Sequence, residues 1–288
     1  AVSSGFFSGG NPRSAGGDGT NHWGAGSNTG VVYYGPGAPA IVSTTLTNNR
    51  SAEVYNGQLY FSTGSGATRG IWAVGTGLPT GTGTTSTNVI NTGGSSSPYE
   101  FVFNAAGTTC YIADDRSVAT GGGIQRWDLV GGVWTLSYTL GTGSASGARG
   151  VEADFSGIIP IVYGITADGG GRLIRIDDTG AGSPPVTLAT APTNTAFRGV
   201  ALAPQDCDPP VVSVNTNSPI CAGEVLSLSA NAAGVEPLDY VWLGPSGTFS
   251  PNGPSVTVTG ASSGTFYVTV GSGCGSTTVP VDVVVNDP

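Results

Sequence analysis

Arg149-Gly150-Val151 and Arg198-Gly199-Val200 decide the fold, because each restarts a pattern already present at Arg13-Ser14-Ala15 and Arg50-Ser51-Ala52. Tyr99-Glu100-Phe101 holds the same register between them. The starts at 50, 99, 149 and 198 are separated by 49, 50 and 49 residues; the first interval, 13 to 50, is 37. After each start comes a glycine-bearing turn such as Asn56-Gly57 or Ala106-Gly107, then an apolar strand such as Gln58-Leu59-Tyr60-Phe61 or Cys110-Tyr111-Ile112-Ala113. A glycine cluster leads to a third strand, for example Gly70-Ile71-Trp72-Ala73-Val74 or Leu173-Ile174-Arg175-Ile176, and a more polar fourth strand closes the unit. Four short strands per period of this length predict β-propeller blades. A single blade cannot bury both faces of its own sheet, so blades stack on their neighbours.

The count leaves the ring unclosed. Residues 1–204 hold four such units and a fifth start, Phe197-Arg198-Gly199-Val200-Ala201-Leu202. The expectation is the C-terminal portion of a larger ring, or open blades completed by another chain.

Composition narrows the class. Glycine supplies 49 of 288 residues without a collagen triplet, which means many tight turns in a chain of short apolar runs. No window of a dozen residues keeps a 3.6-residue apolar period, so the chain reads as all-β. Eighteen carboxylates stand against nine cations, all of them arginine, and the net charge of −9 excludes a nucleic-acid partner. No run is long and apolar enough for membrane insertion. A neutral polar surface, 9% charged and without lysine, fits an extracellular or bacterial cell-surface location.

Asp18-Gly19-Thr20-Asn21-His22-Trp23-Gly24, Val74-Gly75-Thr76-Gly77-Leu78-Pro79, Tyr111-Ile112-Ala113-Asp114-Asp115 and Asn194-Thr195-Ala196-Phe197-Arg198-Gly199-Val200 together resemble a group of secreted bacterial propeller proteins. The resemblance covers roughly residues 1–204, and in that family such a stretch is similar to the second half of a longer propeller. It implies the fold and carries no activity.

Gln205-Asp206-Cys207-Asp208-Pro209-Pro210 is a linker by composition, placing the boundaries at 1–204, 205–210 and 211–288. Beyond it, runs such as Leu226-Ser227-Leu228 and Thr265-Phe266-Tyr267-Val268-Thr269-Val270 alternate with period 2 and predict an Ig-like β-sandwich with Trp242 in its core. Cys221 and Cys274 flank neighbouring strands and are expected to form a disulfide. Cys110 and Cys207 either pair with each other or are buried and free. Ser218-Pro219-Ile220-Cys221-Ala222-Gly223 and Gly264-Thr265-Phe266-Tyr267-Val268-Thr269-Val270, then Gly273-Cys274, resemble the Ig-like or PKD-like modules of Bacteroidetes surface proteins, which serve as spacers.

Candidate chemistry is sparse. Arg13, Arg50, Arg149 and Arg198 share one register and are candidates to ring a channel mouth that binds anions or sugars. The competing reading pairs each with a carboxylate such as Glu53 or Glu152, or with backbone carbonyls of the next blade, and Tyr99 interrupts the set. Asp114, Asp115, Asp177 and Asp178 end strands and are candidates for Ca²⁺, the one cofactor considered; Asx turns explain them equally. His22 stands alone, with no nucleophile indicated. Tyr33, Tyr34, Trp72, Trp127 and Trp134 read as inter-blade packing rather than sugar platforms. The leading expectation is a non-enzymatic structural or adhesive surface protein whose partners are itself, other surface proteins or glycans. A carbohydrate-binding propeller is the first alternative and a propeller-fold polysaccharide lyase or hydrolase the second.

Overall fold

The computed structural model describes residues 6–7, 11–169, 171–203, 208–245, 247–249 and 253–287. The chain divides into two compact units, Ala1–Leu202 and Ala203–Pro288.

The first unit contains four antiparallel four-stranded sheets, each formed from consecutive strands. Blade 1 is β1 (Pro12–Gly17), β2 (His22–Gly26), β3 (Gly30–Tyr34) and β4 (Ala40–Ser43). Blade 2 is β5 (Asn49–Tyr55), β6 (Gln58–Thr63), β7 (Gly70–Val74) and β8 (Ser86–Asn91). Blade 3 is β9 (Pro98–Phe103), β10 (Thr109–Asp114), β11 (Gly123–Val130) and β12 (Val133–Leu140). Blade 4 is β13 (Ala148–Asp154), β14 (Ile161–Thr166), β15 (Arg172–Asp177) and β16 (Val186–Thr190). Tight turns set the hairpins: Asn56-Gly57, both at positive φ, join Tyr55 to its partner Gln58, and Gly131-Gly132 do the same between Val130 and Val133.

Three apolar cores lie between successive blades. Trp23, Val31 and Val42 meet Leu59, Phe61 and Val74; Ile71 and Ile90 meet Phe101, Ile112 and Trp127; Tyr111, Ile124 and Leu140 meet Val151, Val162 and Ile174. A strand between two blades is therefore buried on both faces, as β10 is along its whole length. Among the described residues no further four-stranded blade follows β16, and its side chains stay mostly exposed. Tyr33 and Trp127 are buried in these cores, and Trp72 and Trp134 pack against them.

The inner strands β1, β5, β9 and β13 contact one another in chain order. Side chains bridge them: among others, the Ser14 hydroxyl accepts from the Ala52 amide at 2.8 Å, and Glu100 Oε2 accepts from the Val151 amide at 3.0 Å. The approach of β1 to β5 needs glycine at 16, where a Cβ would lie 2.3 Å from the Ala52 carbonyl oxygen. Gly16→Ala is expected to cost about 2 kcal/mol or more by overpacking. Denaturant titration measures this, and a loss under about 0.5 kcal/mol would show that the inner ring adjusts freely.

The fifth start does not form a strand. Phe197–Leu202 carries the repeat's residues, yet no strand among the described residues pairs with it.

The second unit is a sandwich. Its strands are β17 (Val211–Thr216), β18 (Ile220–Cys221), β19 (Leu226–Ala233), β20 (Asp239–Gly244), β21 (Gly247–Phe249), β22 (Ser255–Val258), β23 (Gly264–Ser272), β24 (Gly275–Val283) and β25 (Val285–Asn286). One sheet is ordered β17-β19-β22 and the other β21-β20-β23-β24, with a short parallel β18-β25 pair. Leu226, Leu228, Trp242, Phe266, Val268 and Val270 fill the space between them. Trp242 is fully buried, and its indole N–H donates to the Gly253 carbonyl at 3.1 Å.

The expected Cys221–Cys274 bridge is not formed. Cys221 is an exposed free thiol, whereas Cys274 is disulfide-bonded. The topology explains the difference: Cys221 lies on the edge pair β18-β25, and Cys274 lies in the turn between β23 and β24. Cys110 is buried and free, which removes its pairing with Cys207; Cys207 itself lies outside the described residues.

Candidate functional site

Each inner strand begins with a register irregularity: between Pro12 and Ser14, Asn49 and Ala52, Pro98 and Phe101, and Ala148 and Gly150. A bulge breaks the ladder locally and re-aims the residue within it. The residues so placed are Arg13, Arg50, Tyr99 and Arg149. All four line one concavity of about 440 Å³, together with Arg198 and Phe197 from the unpaired fifth start. The four arginines sharing a sequence register therefore share one site.

Their partners differ. Arg13 Nη1 donates to Asn48 Oδ1 at 2.6 Å and to the Asn49 carbonyl at 3.2 Å, both at the start of the next blade. Arg149 pairs with Asp115 at 3.2 Å. The Arg50 guanidinium sits 4.1 Å above the Tyr99 ring, and that of Arg149 lies 5.4 Å from the same ring. Tyr99 is thus a platform between two cations rather than a gap in the set. Arg50 Nε is buried with no hydrogen-bond partner among the described residues. Burial lowers the Arg50 pKa from the ordinary arginine value, Arg13 and Arg149 push the same way, and Tyr99 and Asp115 oppose them.

Glu53 and Glu152 do not pair with these arginines. With Glu100 they line a second cavity of about 270 Å³, beside Val200 and Ala201. Glu100 lines both cavities, so the carboxyl tier adjoins the arginine tier. Burial pushes the Glu53 carboxyl up to about 7, against a hydrogen bond from Ser51. Burial likewise raises Glu100 to about 7, with Glu53 and Glu152 adding to it and the Val151 N–H opposing. Glu152 is also raised, again by burial.

The four aspartates considered for Ca²⁺ each sit against an arginine. Asp114, fully buried, takes both oxygens to Arg116 at 2.9 Å and accepts from the Ser97 amide as well. Asp115 pairs with Arg149, Asp177 with Arg175 and Asp178 with Arg126. No group of three or more His, Cys, Asp or Glu side chains among the described residues is gathered as a metal site. His22, exposed at the start of β2, does not line the arginine concavity. The carboxyl tier was partly legible, since Glu53 and Glu152 each follow an arginine by three residues; its separation from the arginines was not.

No protein-family model matches the chain, and no curated protein matches it in sequence. Similar solved structures include PorZ, a bacterial surface component of the type-IX secretion system of Porphyromonas gingivalis, at 11% identity and a TM-score of 0.42. That match covers 95% of this chain and 45% of PorZ, so the chain spans less than half of PorZ's length. An arginine-substituted variant of AofleA from Arthrobotrys oligospora matches at 10% identity and a TM-score of 0.41, covering 96% of this chain and 90% of that one. The amphioxus IgVJ-C2 molecule matches at 14% identity and a TM-score of 0.26, over 64% of this chain and 86% of that one. Likenesses this loose carry no argument about chemistry. No described helix is long and apolar enough to cross a membrane. The chain is an all-β protein of four-stranded blade repeats followed by an Ig-like sandwich.

Proposed function

We propose that this chain is a non-enzymatic extracellular adhesive protein whose blade unit grips an oxyanion, a carboxylate or sulfate borne on a partner's polysaccharide. One observation carries the reading. Arg13, Arg50, Arg149, Arg198 and Tyr99 line a single concavity, and only Arg149 has a carboxylate partner there among the described residues. An incoming oxyanion would satisfy the orphan Arg50 N–H and gain charge-assisted hydrogen bonds from guanidinium groups already gathered. Tyr99 adds an aromatic face beside them, which suits a sugar ring.

Titration calorimetry with polygalacturonate, dextran sulfate and neutral dextran tests this. The carboxylated or the sulfated polymer is expected to bind, with affinity falling as salt rises, and neutral dextran is expected not to bind. Arg50→Ala with Arg149→Ala is expected to weaken binding by about tenfold or more, roughly 1.4 kcal/mol. Binding by neither anionic polymer, or equal binding by the double variant, overturns the assignment. Release of new reducing or unsaturated ends from polygalacturonate would establish a hydrolase or lyase instead.

A further inference from the structure

Blade 4 repeats half of the clamp that fastens it to blade 3. In blade 3, Arg126 pairs with Asp128 two residues on, at 3.0 Å, and reaches forward to Asp178 of blade 4, also at 3.0 Å. Tyr111 faces Arg126 across the β10-β11 ladder, as Tyr163 faces Arg175 across β14-β15. Arg175 likewise pairs with the aspartate two residues on, Asp177, at 2.8 Å. No forward carboxylate reaches Arg175 among the described residues, and its side chain is 41% exposed. Beside it, Val186 and Leu188 of β16 are 57% and 49% exposed. This is a face of the kind that joins blades 3 and 4, and no blade among the described residues covers it.

The sandwich unit presents a complementary face. All nine arginines lie at or before residue 198, so residues 203–288 carry seven carboxylates and no cation. On the outer side of the β21-β20-β23-β24 sheet, Leu243, Tyr267 and Pro280 stand in register on adjacent strands. Leu243 and Tyr267 are 44% and 39% exposed, an apolar stripe across three strands. Asp282 follows Pro280 on the same face of β24 and is exposed.

We propose that the uncovered face of blade 4 docks the outer sandwich sheet of a second copy of this chain. The stripe covers Val186 and Leu188, and Asp282 supplies the forward carboxylate that Arg175 lacks. The two surfaces differ, so the contact is heterologous and every copy offers one face of each kind. It is independent of the arginine concavity.

Sedimentation velocity across a concentration series tests it on the full chain. Wild type is expected to form oligomers that grow with concentration. Leu188→Glu and Tyr267→Glu, both at exposed positions, are each expected to remain monomeric alone. Mixed, they retain one intact face each and are expected to give a dimer that grows no further. Arg175→Asp and Asp282→Arg are each expected to weaken association, and the doubly exchanged chain to restore it. Arg50→Ala with Arg149→Ala is expected to leave association unchanged, which separates this result from that of the anion-binding reading. A wild type monomeric at every concentration, or oligomers that persist in either single Glu variant, overturns the proposal.

Discussion

Asp178→Ala is expected to destabilise the blade unit by about 3–5 kcal/mol, the cost of breaking a buried, hydrogen-bonded ion pair. Asp178 belongs to blade 4, but its three side-chain partners belong to blade 3. Its fully buried carboxylate accepts from the Tyr111 hydroxyl, from the Tyr138 hydroxyl at 2.8 Å and from Arg126 at 3.0 Å. Both phenols are held protonated: burial raises the Tyr111 pKa, with Asp178 next, and the same causes in the same order raise Tyr138 to about 12. Removing the carboxylate leaves two phenol O–H donors without their acceptor in the core between the blades, while Arg126 Nη1 keeps the Tyr138 hydroxyl oxygen at 3.2 Å. Arg126 keeps Asp128, itself held by Thr109 and Ser137, so the loss should fall toward the lower end of that range. Asp177→Ala is the control, because its pair with Arg175 is about half exposed and is worth about 0.5 kcal/mol or less. Denaturant titration followed by near-ultraviolet dichroism measures both. A loss under about 1 kcal/mol for Asp178→Ala would show that apolar packing alone joins blades 3 and 4.

The same contrast shows what the sequence made legible. The blades were readable because inter-blade burial repeats a local pattern at a fixed interval, so each unit announces itself without knowledge of its neighbours. The sandwich was readable for the same local reason, through period-2 alternation with Trp242 at its centre. Partnerships across blades were not readable. Arg149 meets Asp115 from 34 residues upstream, and Asp178 meets Arg126 from 52 residues away, distances that composition cannot decide. Asp114, Asp115, Asp177 and Asp178 therefore looked like free oxygen donors when each faces a guanidinium. Two signals stood in plain view. Arg116 stands two residues after Asp114, and Arg126-Trp127-Asp128 recurs as Arg175-Ile176-Asp177. The Cys221–Cys274 expectation failed on a related ground: strand pattern shows that two strands belong to one sandwich but not which of their ends meet. Tyr99 looked like an exception to the arginine set because a register shows position and not the stacking that position permits.

Stability is expected to fall as pH rises from about 4.5 to about 7, through the carboxyl tier. Glu53 and Glu100 have folded-state pKa values near 7, against 4.5 for an ordinary glutamate. Between those limits the folded chain holds protons that the unfolded chain has released, so each upward step in pH favours unfolding. The effect is absent below about 4.5, complete above about 7, and on the order of 3 kcal/mol per group as a ceiling. Asp128 and Asp168 act the other way, their pKa values lowered despite burial by hydrogen bonds chiefly from Arg126 and Thr166, but their contribution is lost only in more acid solution. Thermal unfolding is therefore expected at a higher temperature at pH 5 than at pH 8. Growing net negative charge would tilt the curve the same way, so Glu53→Gln with Glu100→Gln is the deciding variant: it should flatten the slope and raise the melting temperature at pH 8. A double variant that keeps the wild-type slope assigns the effect to net charge and removes the tier from the account. Anion binding follows the same titration. Glu100 lines the arginine concavity, so its ionisation places negative charge beside Arg50 and Arg149, and binding of polygalacturonate or dextran sulfate should weaken from pH 6 to pH 8 in wild type but not in the glutamine variant.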